Sequence, residues 1–155
     1  MRRFAVVALV VAMALGSGAP PSAATTDSVW IITEGEASLP SPPAARGGPA
    51  LPQDGPVVKI ERPELGASAA LSLPFSIDVV FEPRSGGAPV KMESLKIVYV
   101  KVVELDVTER FKPYIKGNRL FVENANVPAG RHRLRITITD QNGNTTAEVL
   151  QVAVK

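Results

Sequence analysis

The pattern closest to a metal site is a set of three oxygen-bearing side chains at alternate positions near the C-terminal end of the chain. Asp140, Asn142 and Asn144 supply one carboxylate and two amides. Calcium needs about six to eight such oxygen ligands, and no acidic residue lies twelve positions further on. Asp and Asn also form hydrogen bonds to their own backbone in turns. We therefore interpret residues 140–144 as a turn, with calcium binding as the alternative, and predict no metal site.

Three arginines at alternate positions form a second candidate site. Arg131, Arg133 and Arg135 fall on one face of a predicted strand, opposite the predicted core residues Leu134, Ile136 and Ile138. Guanidinium groups bind carboxylates and phosphates through paired hydrogen bonds. An anionic glycan, a lipid phosphate or an acidic protein could therefore bind here. The alternative is a solvated face whose charges are balanced by acids on neighbouring strands.

A third candidate is the only tryptophan, which lies in a short apolar segment at residues 28–33. Tryptophan is a common anchor at protein interfaces, and an apolar strand on a tether can add to a sheet edge. We predict Trp30 and Ile31 as partner-binding residues. The alternatives are docking on its own domain and disorder. A proline-rich linker extends to residue 56 and would let the segment lie well away from the domain.

The remaining polar residues do not form a catalytic pattern. His132 is the only histidine, and there is no cysteine to pair with it as a nucleophile. Glu104, Asp106 and Glu109 cluster, as paired acid and base groups do, but they surround a short predicted strand and turn and lack an aromatic platform. The sequence contains no glycine-rich phosphate loop and no GxSxG motif. We therefore predict a protein that is not an enzyme and uses no cofactor.

The first 24 residues have the pattern of a secretory signal peptide. Arg2 and Arg3 precede an apolar run of 12 residues at positions 4–15, and small residues around Ala24 suit a signal peptidase. The alternative is a membrane anchor, but this run is too short to cross about 30 Å of hydrocarbon as a helix. We predict cleavage near Ala24, a periplasmic or secreted location, and no transmembrane segment in the mature chain.

Removing the signal changes the charge of the chain and so the partners that we expect. The chain has 17 Lys and Arg against 15 Asp and Glu, and two of the arginines lie in the signal. The mature chain is therefore neutral overall, which argues against nucleic acid as a partner. It also favours the alternative in which the arginine face is solvated and its charges are balanced by neighbouring acids. Because the chain has no cysteine, a packed core rather than disulfides must stabilise it.

The alternation of apolar and polar residues predicts one domain of strands at residues 57–155, after an N-terminal segment and linker at residues 25–56. The strongest signal is the hairpin at residues 128–155, whose strands alternate on both sides of the Asn142-Gly143 turn. Other strands are predicted at residues 57–60, 75–81, 94–103, 105–108 and 119–123. About seven strands without a helical period indicate an all-β sandwich.

The long strand at residues 94–103 carries apolar residues on both faces. Its odd-numbered residues from Leu95 to Tyr99 are predicted to face the core. The opposite face would then carry a row of three valines: Val98, Val100 and Val102. An exposed apolar row would mark a surface for a partner. The valines would not be exposed if both faces of the strand are covered, or if a bulge changes which residues face the core.

Three motifs in the domain carry a resemblance to a known family. They are the stretches SLKI at residues 94–97, LDVT at residues 105–108, and the region 127–144, which begins VPAGRH and ends TDQNGN. In these motifs the chain resembles bacterial immunoglobulin-like domains, including the fibronectin-III-like type, over residues 57–155. Such domains serve as spacers, adhesion modules and binding appendages. The resemblance implies an exported, non-catalytic immunoglobulin-like β-sandwich for protein or cell-envelope interactions. The alternative is an accessory domain that binds anionic carbohydrate or lipid through the arginines.

Overall fold

The computed structural model describes residues 28–43, 50–64 and 70–155. The signal peptide predicted at residues 1–24 lies outside these ranges, as does the middle of the proline-rich linker. Strands predominate, which confirms the all-β fold class. In chain order the elements are β1 (Val29–Trp30), α1 (Glu34–Ala37), β2 (Val57–Arg62), β3 (Phe75–Glu82), β4 (Val90–Val100), β5 (Glu104–Asp106), α2 (Thr108–Phe111), a 3-10 turn (Lys112–Tyr114), β6 (Ile115–Lys116), β7 (Arg119–Asn126), β8 (Gly130–Asp140) and β9 (Thr145–Val154).

The described strands form two sheets that share one hydrophobic core. The first sheet has the order β1–β7–β3–β2, with β6 also paired to β7, and the second has the order β5–β4–β8–β9. Every pair is antiparallel except β1 with β7, which is parallel. Because successive side chains of a strand point to opposite faces, alternate apolar residues of both sheets meet in the core.

The C-terminal hairpin has the register that its sequence pattern predicts. β8 and β9 pair along their whole length, with Leu134 opposite Leu150 in the core. Gly143 in the connecting turn has a φ of 89°, a left-handed conformation that favours glycine over residues with a side chain.

Residues 28–43, which we call the strap, fold back onto the sandwich. β1 adds a parallel strand to β7, with Trp30 opposite Asn126. Ile31 and Ile32 are 1% and 0% exposed and belong to the core of the sandwich. Of the alternatives given for the apolar segment, the structure therefore shows docking on its own domain. The prediction of Ile31 as a partner contact is corrected, because the core already encloses its side chain.

Candidate interaction surfaces

An ion pair fixes the helical part of the strap to α2. The Arg110 guanidinium donates to both carboxylate oxygens of Glu36, at 2.8 and 2.6 Å, and to the backbone carbonyl of Ile31 at 2.7 Å. These hydrogen bonds from Arg110 lower the pKa of Glu36 to about 2. Thr33 begins α1 with a capping box, since its hydroxyl accepts from the Glu36 N–H and the Glu36 carboxylate accepts from the Thr33 N–H.

A buried lysine holds the second half of the strap. Lys101 is 6% exposed, and its ammonium donates to the Ala37 carbonyl at 2.8 Å and to the Ser41 hydroxyl at 3.3 Å. The same ammonium lies 5.3 Å from the centroid of the Tyr99 ring, within range of a cation–π interaction. A buried charge is costly unless polar groups surround it. The strap supplies two of those groups, so strap and lysine stabilise each other.

Trp30 is exposed although its neighbours in the strap are buried. The Ile31 N–H donates to the Asn126 carbonyl at 3.1 Å, and the two isoleucines that follow Trp30 fill the core. The indole is nevertheless 56% exposed. The backbone on both sides of the indole is thus fixed by strand pairing and burial, and the ring faces outward from the sheet.

The three predicted arginines lie on the outer face of β8 but differ in their surroundings. Arg135 donates two hydrogen bonds to Glu104 of β5, at 2.8 and 2.7 Å. Arg133 is half-buried, and its Nε is buried without a hydrogen-bond partner within the described ranges. Arg131 is exposed. The acid on the neighbouring strand therefore balances Arg135 but neither of the other two.

The acids and the histidine noted in the sequence have structural partners. The hydrogen bonds from Arg135 lower the pKa of Glu104, and those from Thr108 lower the pKa of Asp106. His132 is buried, and its Nε2 donates to the Pro128 carbonyl at 2.7 Å, so its Nδ1 accepts from the Tyr99 hydroxyl at 2.9 Å. Burial lowers the pKa of His132 and raises that of Tyr99 to about 12.

The Asp140 carboxylate is saturated by the turn that it begins. One oxygen accepts from the backbone N–H groups of Asn142 and Asn144, at 2.8 and 2.9 Å, and the other accepts from the Asn144 side-chain amide at 2.9 Å. The side-chain hydrogen bond from Asn144 is the main reason that the pKa of Asp140 is lowered. Within the described residues, no group of three or more His, Cys, Asp or Glu side chains could hold a metal ion.

The valine row of β4 is not a continuous exposed strip. The core-facing residues are buried as expected, but Val98 on the opposite face is buried too, between Asp106 of β5 and Arg135 of β8. Of the three valines only Val102, just beyond β4, is exposed, at 62%, and its neighbour Val103 is 61% exposed. The valine row therefore provides one exposed side chain rather than a surface.

Two shallow hollows on the first sheet were not anticipated from the sequence. The larger has a volume of about 360 Å³ and is lined by Val29, Pro113, Tyr114, Lys116, Phe121, Glu123 and Asn124. The smaller, of about 270 Å³, is lined by Lys116, Arg119 and Phe121. Arg119 pairs with Asp78 and places its guanidinium 5.5 Å from the Phe121 ring centroid. Phe121, which is 38% exposed, therefore borders both hollows.

The part of the chain that the structure describes contains no helix long and apolar enough to cross a membrane. Comparison with known proteins finds no matching family model, no matching curated protein and no matching solved structure.

Proposed function

We propose that this protein is an exported, non-catalytic immunoglobulin-like module that binds another protein or a component of the cell envelope. The order of the strands supports the immunoglobulin-like part. β2, β3 and β7 occupy the places of strands A, B and E in one sheet, and β4, β8 and β9 those of C, F and G in the other. β5 extends the second sheet beside β4, at the place of strand C′. Export is supported by the sequence of residues 1–24.

The observation that carries the binding role is the exposure of Trp30 on a fixed backbone. An apolar segment that docks on its own domain would normally bury its largest side chain, because burial of apolar area is what stabilises docking. Here Ile31 and Ile32 enter the core while the indole stays outside. A rigid exposed aromatic loses little conformational entropy when it binds, which favours affinity.

The test is capture of a partner from the envelope fraction of the native host by the immobilised mature protein. We expect one specific protein to be retained through a wash at about 0.5 M salt, because salt screens ionic contacts more than apolar ones. Trp30→Ala should abolish retention. Val102→Ala serves as the matched control, since it also truncates an exposed apolar side chain. Equal retention by wild type and Trp30→Ala would reject Trp30 as the anchor.

The second candidate is binding of an anionic glycan or lipid by the arginine face, and a specific observation favours it. Neither Arg131 nor Arg133 forms a salt bridge within the described ranges, whereas Arg135 is held by Glu104. The exposed Arg131 and the half-buried Arg133 are therefore the arginines of this face that no acid of the described chain neutralises, and a sulfate, carboxylate or phosphate group would bind them. Heparin and lipopolysaccharide are the probes. Retention lost in Arg131→Ala/Arg133→Ala but kept in Lys91→Ala, on the same sheet, would support this candidate over the first.

A further inference from the structure

One edge of β7 is only partly paired. On the side away from β3, β6 pairs with Arg119 and Leu120, and β1 pairs with Ala125 and Asn126. No described strand pairs on this side with the four residues between, 121–124. At about 3.3 Å per residue the gap is about 13 Å long. We call it the notch. An unpaired strand edge presents backbone groups that can bind an added strand.

The larger hollow coincides with the notch. Phe121, Glu123 and Asn124 of the unpaired stretch line it, as do Val29 of β1 at one end and Lys116 of β6 at the other. Tyr114 and Pro113, from the 3-10 turn, form its remaining wall. The volume of about 360 Å³ lies at the lower end of the range of about 300–1,000 Å³ that is usual for ligand sites. The unpaired edge therefore borders a recess that side chains can occupy.

The two ends of the notch carry opposite charges. Lys116 lies at the β6 end, and neither it nor Glu123, nearer the β1 end, belongs to a salt bridge within the described ranges. Arg119, the other cation beside the hollow, is occupied by Asp78. A strand that runs antiparallel to β7 would end beside Ile115 of β6, one position from Lys116, which lines the hollow. Its residue opposite Glu123 would lie near that carboxylate. A parallel strand would instead bring its N-terminal ammonium toward Lys116.

We propose that the notch binds the C-terminal end of an extended peptide, added antiparallel to β7, with its terminal carboxylate at Lys116 and a basic side chain at Glu123. The Glu123 carbonyl accepts from the Ser76 hydroxyl of β3 at 2.9 Å, so the main-chain hydrogen bonds would come from those residues of 121–124 whose backbone groups face away from β3. These bonds would supply affinity, and the two charges would set direction and register. This inference goes beyond the function proposed above, because it concerns different side chains and holds whether or not Trp30 anchors a partner.

The test uses the acetylated peptide Thr-Lys-Val-Thr with a free carboxylate, titrated into the ¹⁵N-labelled mature protein. The largest shifts should fall on the amide signals of residues 121–124. Amidation of the peptide C-terminus should weaken binding about fivefold to tenfold, because it removes a charge-assisted hydrogen bond. No shift at residues 121–124, or the largest shifts at the arginine face of β8, would overturn the proposal.

Two variants separate this site from a general effect of charge. Lys116→Gln should make the peptides with a free and an amidated C-terminus bind equally. Lys91→Gln, which changes an exposed lysine on the other sheet, should leave the difference between the two peptides intact.

Glu123→Lys should reverse the preference for a basic side chain in the peptide, so that a peptide with Glu in place of Lys binds better. Unchanged circular dichroism spectra show that the variants are folded. Trp30→Ala should not alter peptide binding. Equal behaviour of Lys116→Gln and wild type would refute the assignment of the carboxylate.

Discussion

Truncation of Ile32 tests whether the strap is part of the folded core. Its side chain is fully buried among residues of both sheets, and replacing such an isoleucine by alanine typically costs about 2–5 kcal/mol. The ion pair of Arg110 with Glu36 and the contacts of Lys101 hold the strap in place, so the cavity cannot close by local collapse. We therefore expect Ile32→Ala to lower the free energy of unfolding by about 3 kcal/mol.

The measurement is urea unfolding of residues 25–155, followed by circular dichroism. The matched control is Trp30→Ala, two positions away in the same strap, which removes a larger but exposed side chain and should cost less than about 1 kcal/mol. In thermal unfolding, Ile32→Ala should lower Tm by about 12 °C, at about 4 °C per kcal/mol. If both variants lose the same small amount, the strap does not contribute to the core and the reasoning is refuted.

Three further predictions concern ionisable groups. The pKa of Glu36 is about 2 against an ordinary 4.5, so its contribution to stability is complete above pH 4.5 and is lost as the pH falls through 2. In urea unfolding, Glu36→Gln should therefore be less stable than wild type by about 1–2 kcal/mol at neutral pH, and the difference should disappear below pH 2. The lowered pKa of buried His132 means that unfolding takes up a proton below pH 6.5, so wild type should lose stability as the pH falls through that value, and His132→Gln should not. Calcium should leave Tm unchanged, whereas Asp140→Asn should lower the urea midpoint, because the turn loses the charge that accepts its N–H groups; a calcium-dependent Tm would contradict the turn interpretation.

The sequence could predict the strands because their signal is local. In β8, alternate residues are apolar over the whole strand, and Asn142-Gly143 marks the turn within a few positions. The alternation of side chains between the two faces of a strand also correctly predicted that Leu95, Ile97 and Tyr99 face the core. For Val98, on the opposite face, the sequence left open whether the side chain is covered. Its burial occurs where β5 and β8 flank β4, which no pattern along one strand can show.

The strap and the notch could not be read from the sequence because both depend on contacts between distant residues. Ile31 and Ile32 follow Trp30 without alternation, and the strand partner of Trp30, Asn126, lies 96 positions away. The proline-rich linker suggested that the segment could lie apart from the domain, but a flexible linker also lets the segment fold back onto the domain. The notch exists only because β6 and β1 pair with different parts of β7 and leave a gap, so its lining residues share no sequence signature.

The parallel pairing of β1 with β7 has a consequence for the order of folding. The strap is synthesised before every other described element, but its partners Lys101, Arg110 and Asn126 emerge much later, so Ile31 and Ile32 remain without their native contacts until most of the sandwich exists. Closing so long a loop is slow compared with forming a hairpin. The strap also has few backbone bonds to the sheet, which makes it the segment that we expect to open first under native conditions. The first described segment to be synthesised is therefore the last to reach its native contacts, and any protein that binds the nascent chain would meet these two isoleucines before the sandwich does.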